Sequence, residues 1–109
     1  MILDESLDKE IDKVISHYRA ICQDPKKIYE VETNYIGEDR KLEFIAEYLR
    51  LQQIKDREEK AMKELKLFSE IKDVFAFLIG HKVASKISLK TNSTKVMTSI
   101  GRAILEERL

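Results

Sequence analysis

The sequence predicts an all-α protein of four to five helices, a bundle built around one long central helix that is either continuous or kinked. Three observations lead to this prediction. The 109 residues include only three Gly and one Pro, too few for the tight turns of a β-sandwich or barrel. Residues 39–79 contain neither Gly nor Pro, and residues 4–23 carry a helical stripe of apolar side chains. The length fits a single domain over residues 1–109.

The first predicted helix begins at Asp4 or Ser6 and ends near Gln23. Its apolar residues recur at alternating steps of four and three, which places them on one face of a helix. They are Leu7, Ile11, Val14, Tyr18 and Ile21, with Ile15 and Cys22 widening the stripe. We therefore expect this face to be buried, with the thiol of Cys22 acting as a small apolar group.

The dipeptide Asp24-Pro25 predicts the start of a second helix. Asp24 would be the N-cap, and Pro25 would occupy the first helical position, where its missing N–H costs nothing. The helix would end at Gly37 in the left-handed conformation. Its inward residues would be Ile28, Val31 and Tyr35. A strand over residues 27–33 is the alternative, because this segment contains several good strand formers.

The central segment Asp39–Ile79 lies between Gly37 and Gly80. As one helix it would be about 60 Å long at 1.5 Å per residue. A compact chain of this size has a radius of gyration of about 13 Å. The segment must therefore either break or extend beyond its own domain. We expect this to be decided in the polar stretch 52–60, where Ile54 is the single apolar residue.

Both halves of the central segment are apolar enough to suggest contact with a partner. The first half carries two neighbouring stripes, Leu42, Ile45 and Leu49 beside Phe44, Tyr48 and Leu51. The second half carries the stripe Ala61, Leu65, Phe68 and Phe75 and becomes apolar on all sides over residues 74–79. Such a surface is wider than one neighbouring helix covers. The predicted interface residues are Phe44, Tyr48, Leu51, Phe68 and Phe75, and the alternative is a well-closed monomer.

The C-terminal part of the chain predicts one or two shorter helices. Residues 81–92 fit both a helix and a strand, and we favour a short helix after an end of the central helix at Gly80. The cluster Asn92-Ser93-Thr94 predicts the N-cap of the last helix. Val96, Met97, Ile100, Ala103 and Ile104 would share its inner face. Gly101 weakens this helix somewhat.

The formal net charge of zero hides an uneven distribution. Residues 74–105 contain five Lys and Arg but no Asp or Glu. These basic residues are Lys82, Lys86, Lys90, Lys95 and Arg102. An acid-free segment with several hydroxyl side chains is suited to the phosphates of a DNA or RNA backbone, so we predict these residues as nucleic-acid contacts. The alternative is that they pair with acidic residues of the same chain.

No motif in the sequence indicates a reaction, and we expect no enzyme activity, no cofactor and no metal. The candidate ligands and nucleophiles are His17, His81 and Cys22, and none has a suitable partner at helical spacing. Carboxylate pairs such as Glu43 and Glu47 are typical of a solvated helix face in a chain with 37% charged residues.

The sequence thus favours a non-enzymatic helical subunit that works by protein association, as a homodimer or as part of a larger assembly. Its basic end would lie along nucleic acid. The alternative is a stand-alone inhibitor or immunity-type protein that binds one protein partner and no nucleic acid. The single Cys, the acidic N-terminus and the lack of a long apolar run favour a cytoplasmic protein without a membrane span or signal peptide.

Overall fold

The computed structural model describes residues 4–109, so the first three residues of the predicted domain lie outside it. The regular secondary structure of the described chain is entirely helical: α1 spans Glu5–Gln23, α2 Glu38–Leu51, α3 Arg57–Lys86 and α4 Thr94–Arg108. A 3₁₀ helix, Pro25–Glu30, lies between α1 and α2. The predicted all-α fold is confirmed, with α3 as the long central helix against which α1, α2 and α4 pack.

Helix α1 forms as its apolar spacing predicts. The carboxylate of Asp4 accepts hydrogen bonds from the amides of Ser6 (2.9 Å) and Leu7 (3.2 Å), which caps the helix. All five residues of the predicted stripe are buried, and so is Ile15. The expected burial of Cys22 is wrong. Its side chain is exposed because it lies in the last turn of α1, at the edge of the core.

The segment after α1 begins as predicted but does not continue as an α-helix. Asp24 caps the 3₁₀ helix by accepting from the Lys26 amide at 3.1 Å. The helix stops before Val31, whose carbonyl oxygen accepts a hydrogen bond from Nζ of Lys41 at 2.5 Å. Gly37 is not left-handed as expected, because its φ of −66° and ψ of 154° make it the N-cap of α2. The described residues contain no strand here.

The central segment Asp39–Ile79 breaks within the polar stretch. Helix α2 ends at Leu51 and α3 begins at Arg57, where Asp56 accepts from the Glu59 amide at 3.0 Å. The chain reverses over residues 52–56, so α2 and α3 form an antiparallel hairpin. The ring of Phe68 on α3 meets the rings of Phe44 and Tyr48 on α2 edge-on, at centroid distances of 5.6 and 6.3 Å.

Gly80 does not end the central helix, since α3 continues to Lys86. Ser88, two residues after the end of α3, has the left-handed conformation (φ 55°). The separate helix expected after Gly80 is therefore the last part of α3. Gly80 lies where α3 and α4 cross, and a Cβ added there would lie 1.7 Å from the carbonyl oxygen of Met97. A Cβ added at Gly101 would lie 1.6 Å from the carbonyl oxygen of Ala76. The two helices thus touch backbone to backbone.

Helix α4 begins as predicted, because Oγ of Ser93 accepts from the Val96 amide at 3.2 Å. Its inner face differs from the prediction, since Val96 and Ala103 are exposed whereas Ile104 and Leu105 are buried. The reason is that Gly101 defines the line of contact with α3. Ion pairs from Arg108 to Asp8 (2.8 Å) and Asp12 (2.9 Å) join the end of α4 to α1.

We expect replacement of Gly80 or Gly101 by Ala to lower the free energy of unfolding by about 3 kcal/mol, since the added methyl group overlaps a backbone carbonyl that cannot rotate away. Gly37→Ala is the matched control, because no atom lies within 4 Å of a Cβ at that position and its φ suits alanine. Urea denaturation measures the three variants. Equal stability of Gly80→Ala and Gly37→Ala would contradict the close crossing.

Candidate protein-binding surface

The five predicted nucleic-acid contacts do not form one surface. Three of them make ion pairs with acidic residues of the same chain. The pairs are Lys82–Glu10 at 3.7 Å, Lys86–Asp4 at 3.7 Å and Arg102–Asp73. Lys82 and Lys86 therefore face α1, whereas Lys95 and Arg102 line an open groove between α2 and α4. Lys90 and Lys95 have no ion pair within residues 4–109.

Two members of these ion pairs, Asp4 and Arg102, have shifted pKa values. The hydrogen bond from the Leu7 amide holds the pKa of Asp4 below its ordinary value, and the charge of Lys86 adds to this effect. The hydrogen bond to Asp73 raises the pKa of Arg102. A phosphate would therefore have to compete with a carboxylate for the basic side chain at three of the five positions. Contact with nucleic acid stays a prediction that rests mainly on Lys90 and Lys95.

The predicted interface residues fall into two groups. Phe44, Leu51 and Phe75 are buried in the core of the single chain, so their side chains are not available to a partner in this structure. Tyr48 and Phe68 are half-buried and packed against each other. The sequence indicated two apolar stripes on α2, and α3 covers the one that contains Phe44. The other stripe, Leu42, Ile45 and Leu49, is not covered by α3, and Leu42 and Leu49 are exposed to solvent.

Four of the nine large apolar side chains that are exposed within residues 4–109 lie on the α2–α3 hairpin. Leu42 and Leu49 on α2 are each 54% exposed, while Met62 and Leu65 on α3 are 70% and 73% exposed. Within the predicted stripe of the second half, Ala61 and Leu65 are exposed, whereas Phe75 is buried. The spacing of Leu42, Ile45 and Leu49 could have identified this surface from the sequence, but nothing local to Met62 could have done so.

The exposure of Met62 and Leu65 follows from the length of α3. Its 30 residues make it about 45 Å long, and the longest dimension of the chain is 48 Å. Helix α4 reaches back along α3 only as far as the ion pair between Lys72 and Glu106 at 3.1 Å. The first buried residue of α3 is Leu67. Residues 45–66, which we call the arm, therefore extend beyond the body of the molecule.

The leucines of α2 and α3 lie on the same side of the hairpin. The opposite side is marked by a cavity of about 580 Å³ between the two helices. Its lining includes Glu43, Glu47 and Arg50 of α2 and Leu67, Glu70 and Val74 of α3. Helical geometry places Leu42, Ile45 and Leu49 on the other side of α2, and Ala61 and Leu65 on the other side of α3. Leu42, Leu49, Met62 and Leu65, which we call the arm surface, expose on the order of 400 Å² of apolar area, typical of an interaction site.

Six of the eleven charged residues of the arm are paired with one another. Lys63 binds Glu59 at 2.9 Å and Lys60 lies 3.9 Å from Glu64, both one helical turn apart. Arg50 makes two hydrogen bonds to the carboxylate of Glu47, and these bonds lower the pKa of Glu47. A satisfied polar rim around an apolar centre is the usual anatomy of a protein interface.

Both histidines of the chain, His17 and His81, lie outside the arm. The groove between α2 and α4 has a volume of about 1160 Å³ and contains Phe77, whose ring lies 6.0 Å from the ring of His81. Nε2 of His17 is buried without a hydrogen-bond partner among residues 4–109, beside the ring of Tyr35. No group of three or more His, Cys, Asp or Glu residues in this range is placed to hold a metal ion. Nor does any helix in the described part of the chain have the length and apolarity needed to cross a bilayer.

No protein-family model, curated protein or solved structure matches the chain.

The nucleic-acid hypothesis predicts that a filter retains duplex DNA with the protein at low salt and that retention falls steeply as salt rises. Lys90→Ala and Lys95→Ala should each reduce the salt slope by about one. Lys9→Ala is the control, because Lys9 is an exposed lysine on α1 that pairs with Glu5. Absence of retention at low salt, or equal slopes for all variants, would exclude the predicted contact.

Proposed function

We propose that this chain is a non-enzymatic helical subunit that works by binding another protein through the arm surface. One observation carries the proposal: four large apolar side chains are more than half exposed together on the part of the hairpin that extends from the body or at its base. The buried apolar residues form one core cluster, and Leu51 is its one member within the arm among the described residues. Exposed apolar residues on a monomer are normally scattered, so this concentration favours a binding role.

The energetics support association through this surface. Complete burial of each leucine or methionine would contribute about 1.5 kcal/mol or more. The edge-on contacts of Phe68 with Phe44 and Tyr48 fix the two helices of the arm before a partner arrives. A surface that is already ordered loses less conformational entropy on binding. The alternative, a stand-alone inhibitor or immunity-type protein, would use the same surface to bind a single protein partner and would not contact nucleic acid.

We expect Leu49→Glu and Leu65→Glu to abolish partner binding with little loss of stability, because both side chains are exposed and neither belongs to the core. Ile87→Glu is the matched control, since Ile87 is exposed to the same extent as Leu49 but lies at the other end of α3. The measurement is quantitative capture from source cells with each tagged variant, after thermal unfolding has shown that all are folded.

The proposal requires that proteins retained by the wild type and by Ile87→Glu are lost from both arm variants. Retention of the same proteins by all four forms would show that the arm surface is not the binding site. A monomeric wild type that retains no protein at all would exclude association as the function.

A further inference from the structure

We propose that the partner of the arm is a second copy of this chain, paired antiparallel through the first turns of α3 with a two-fold axis beside Met62. This inference rests on the proposed function, because it identifies the partner of the same surface. It is argued from the order of charges along α3, from the position of its most exposed apolar residues and from the area available.

Two charged residues of α3 that make no ion pair within residues 4–109, Glu58 and Lys66, lie one helical turn to either side of Met62. Within residues 4–109, Glu58 and Lys66 make no ion pair, whereas their neighbours Glu59, Lys60, Lys63 and Glu64 are paired with one another. Glu58 precedes Met62 by four residues and Lys66 follows it by four. Residues at this spacing lie on consecutive turns of one helix face. Along this face of α3, a negative residue (Glu58), an apolar residue (Met62) and a positive residue (Lys66) follow one another in that order.

This order complements itself only when the second helix runs in the opposite direction. A two-fold axis beside Met62 places Glu58 of each copy opposite Lys66 of the other and brings the two Met62 side chains together. A parallel arrangement would place Glu58 against Glu58 and Lys66 against Lys66, which is repulsive. An interface of this kind is isologous and closed, so it produces a dimer and no further growth.

The apolar side chains fit the same arrangement. Met62 and Leu65 are the two most exposed large apolar residues within residues 4–109 and lie between the two charges. Two arm surfaces together offer on the order of 800 Å² of apolar area, close to the apolar share of a standard interface of about 1,600 Å². A second copy therefore supplies enough area, and its arm carries both signs of charge.

Charge reversal tests the arrangement. Sedimentation equilibrium at micromolar concentration should give the wild type a mass twice the 12.8 kDa of the chain. Glu58→Lys and Lys66→Glu each create two repulsive contacts per dimer and should weaken the dimer about tenfold. The double variant exchanges the two signs and should return the dissociation constant to within about threefold of the wild type. Glu43→Lys is the control, because Glu43 lies on α2 and lines the cavity on the opposite side of the hairpin.

A cross-link tests the position of the axis independently. In a Cys22→Ser background, Met62→Cys should form a disulfide-linked dimer under mild oxidation, since residues on a two-fold axis bring their Cα atoms within about 7 Å. Leu42→Cys should not, because Leu42 lies on α2, near the base of the hairpin.

The outcomes separate this inference from the proposed function. A wild-type mass of 12.8 kDa at hundred-micromolar concentration overturns self-pairing, while the capture experiment with Leu65→Glu still decides whether the arm binds another protein. A dimer that neither single charge reversal weakens, or that the double variant fails to restore, overturns the antiparallel arrangement. Rescue by the double variant together with the Met62→Cys cross-link supports it.

Discussion

The backbone contact between α3 and α4 at Gly80 and Gly101 determines much of the architecture. Because the two helices touch without intervening side chains, α4 lies flat along the C-terminal part of α3 and ends near Lys72. Helix α1 covers the neighbouring side, where Tyr18 packs on Phe75 at a centroid distance of 5.7 Å. All tight packing is therefore concentrated in one part of α3, and its first turns have only α2 beside them.

A buried lysine holds the N-terminal end of α2 in place. Lys41 is only 2% exposed, and its ammonium group binds the carbonyl oxygen of Val31 and the carboxylate of Glu38, at 2.5 and 3.3 Å. A buried charge must keep such partners, because an unpaired one costs several kcal/mol. The start of α2 is consequently tied to the segment after the 3₁₀ helix, while the end of α2 leaves the body together with α3.

Much of this fold could be predicted from local patterns. The stripe of α1, the caps at Asp24 and Ser93 and the break within 52–60 all follow from residues close in sequence, whose physics is local. The prediction was wrong at Gly80, because a glycine that ends a helix and a glycine where two helices cross are the same in sequence. Pairs such as Lys82–Glu10 join residues far apart in the chain, so no spacing rule could find them. The choice between the two apolar stripes of α2 likewise depends on which of them α3 covers.

The separation of arm and body has a consequence for how this sequence can diverge. The contacts that determine folding lie in the core around Phe75 and at the α3–α4 crossing, whereas Leu49, Met62 and Leu65 contribute little to either. Selection can therefore alter the tip of the hairpin without first compensating a loss of stability. Related chains should retain small residues at the α3–α4 crossing, whereas the sequence at the tip of the α2–α3 hairpin should vary. New binding specificities would therefore arise first at the hairpin tip.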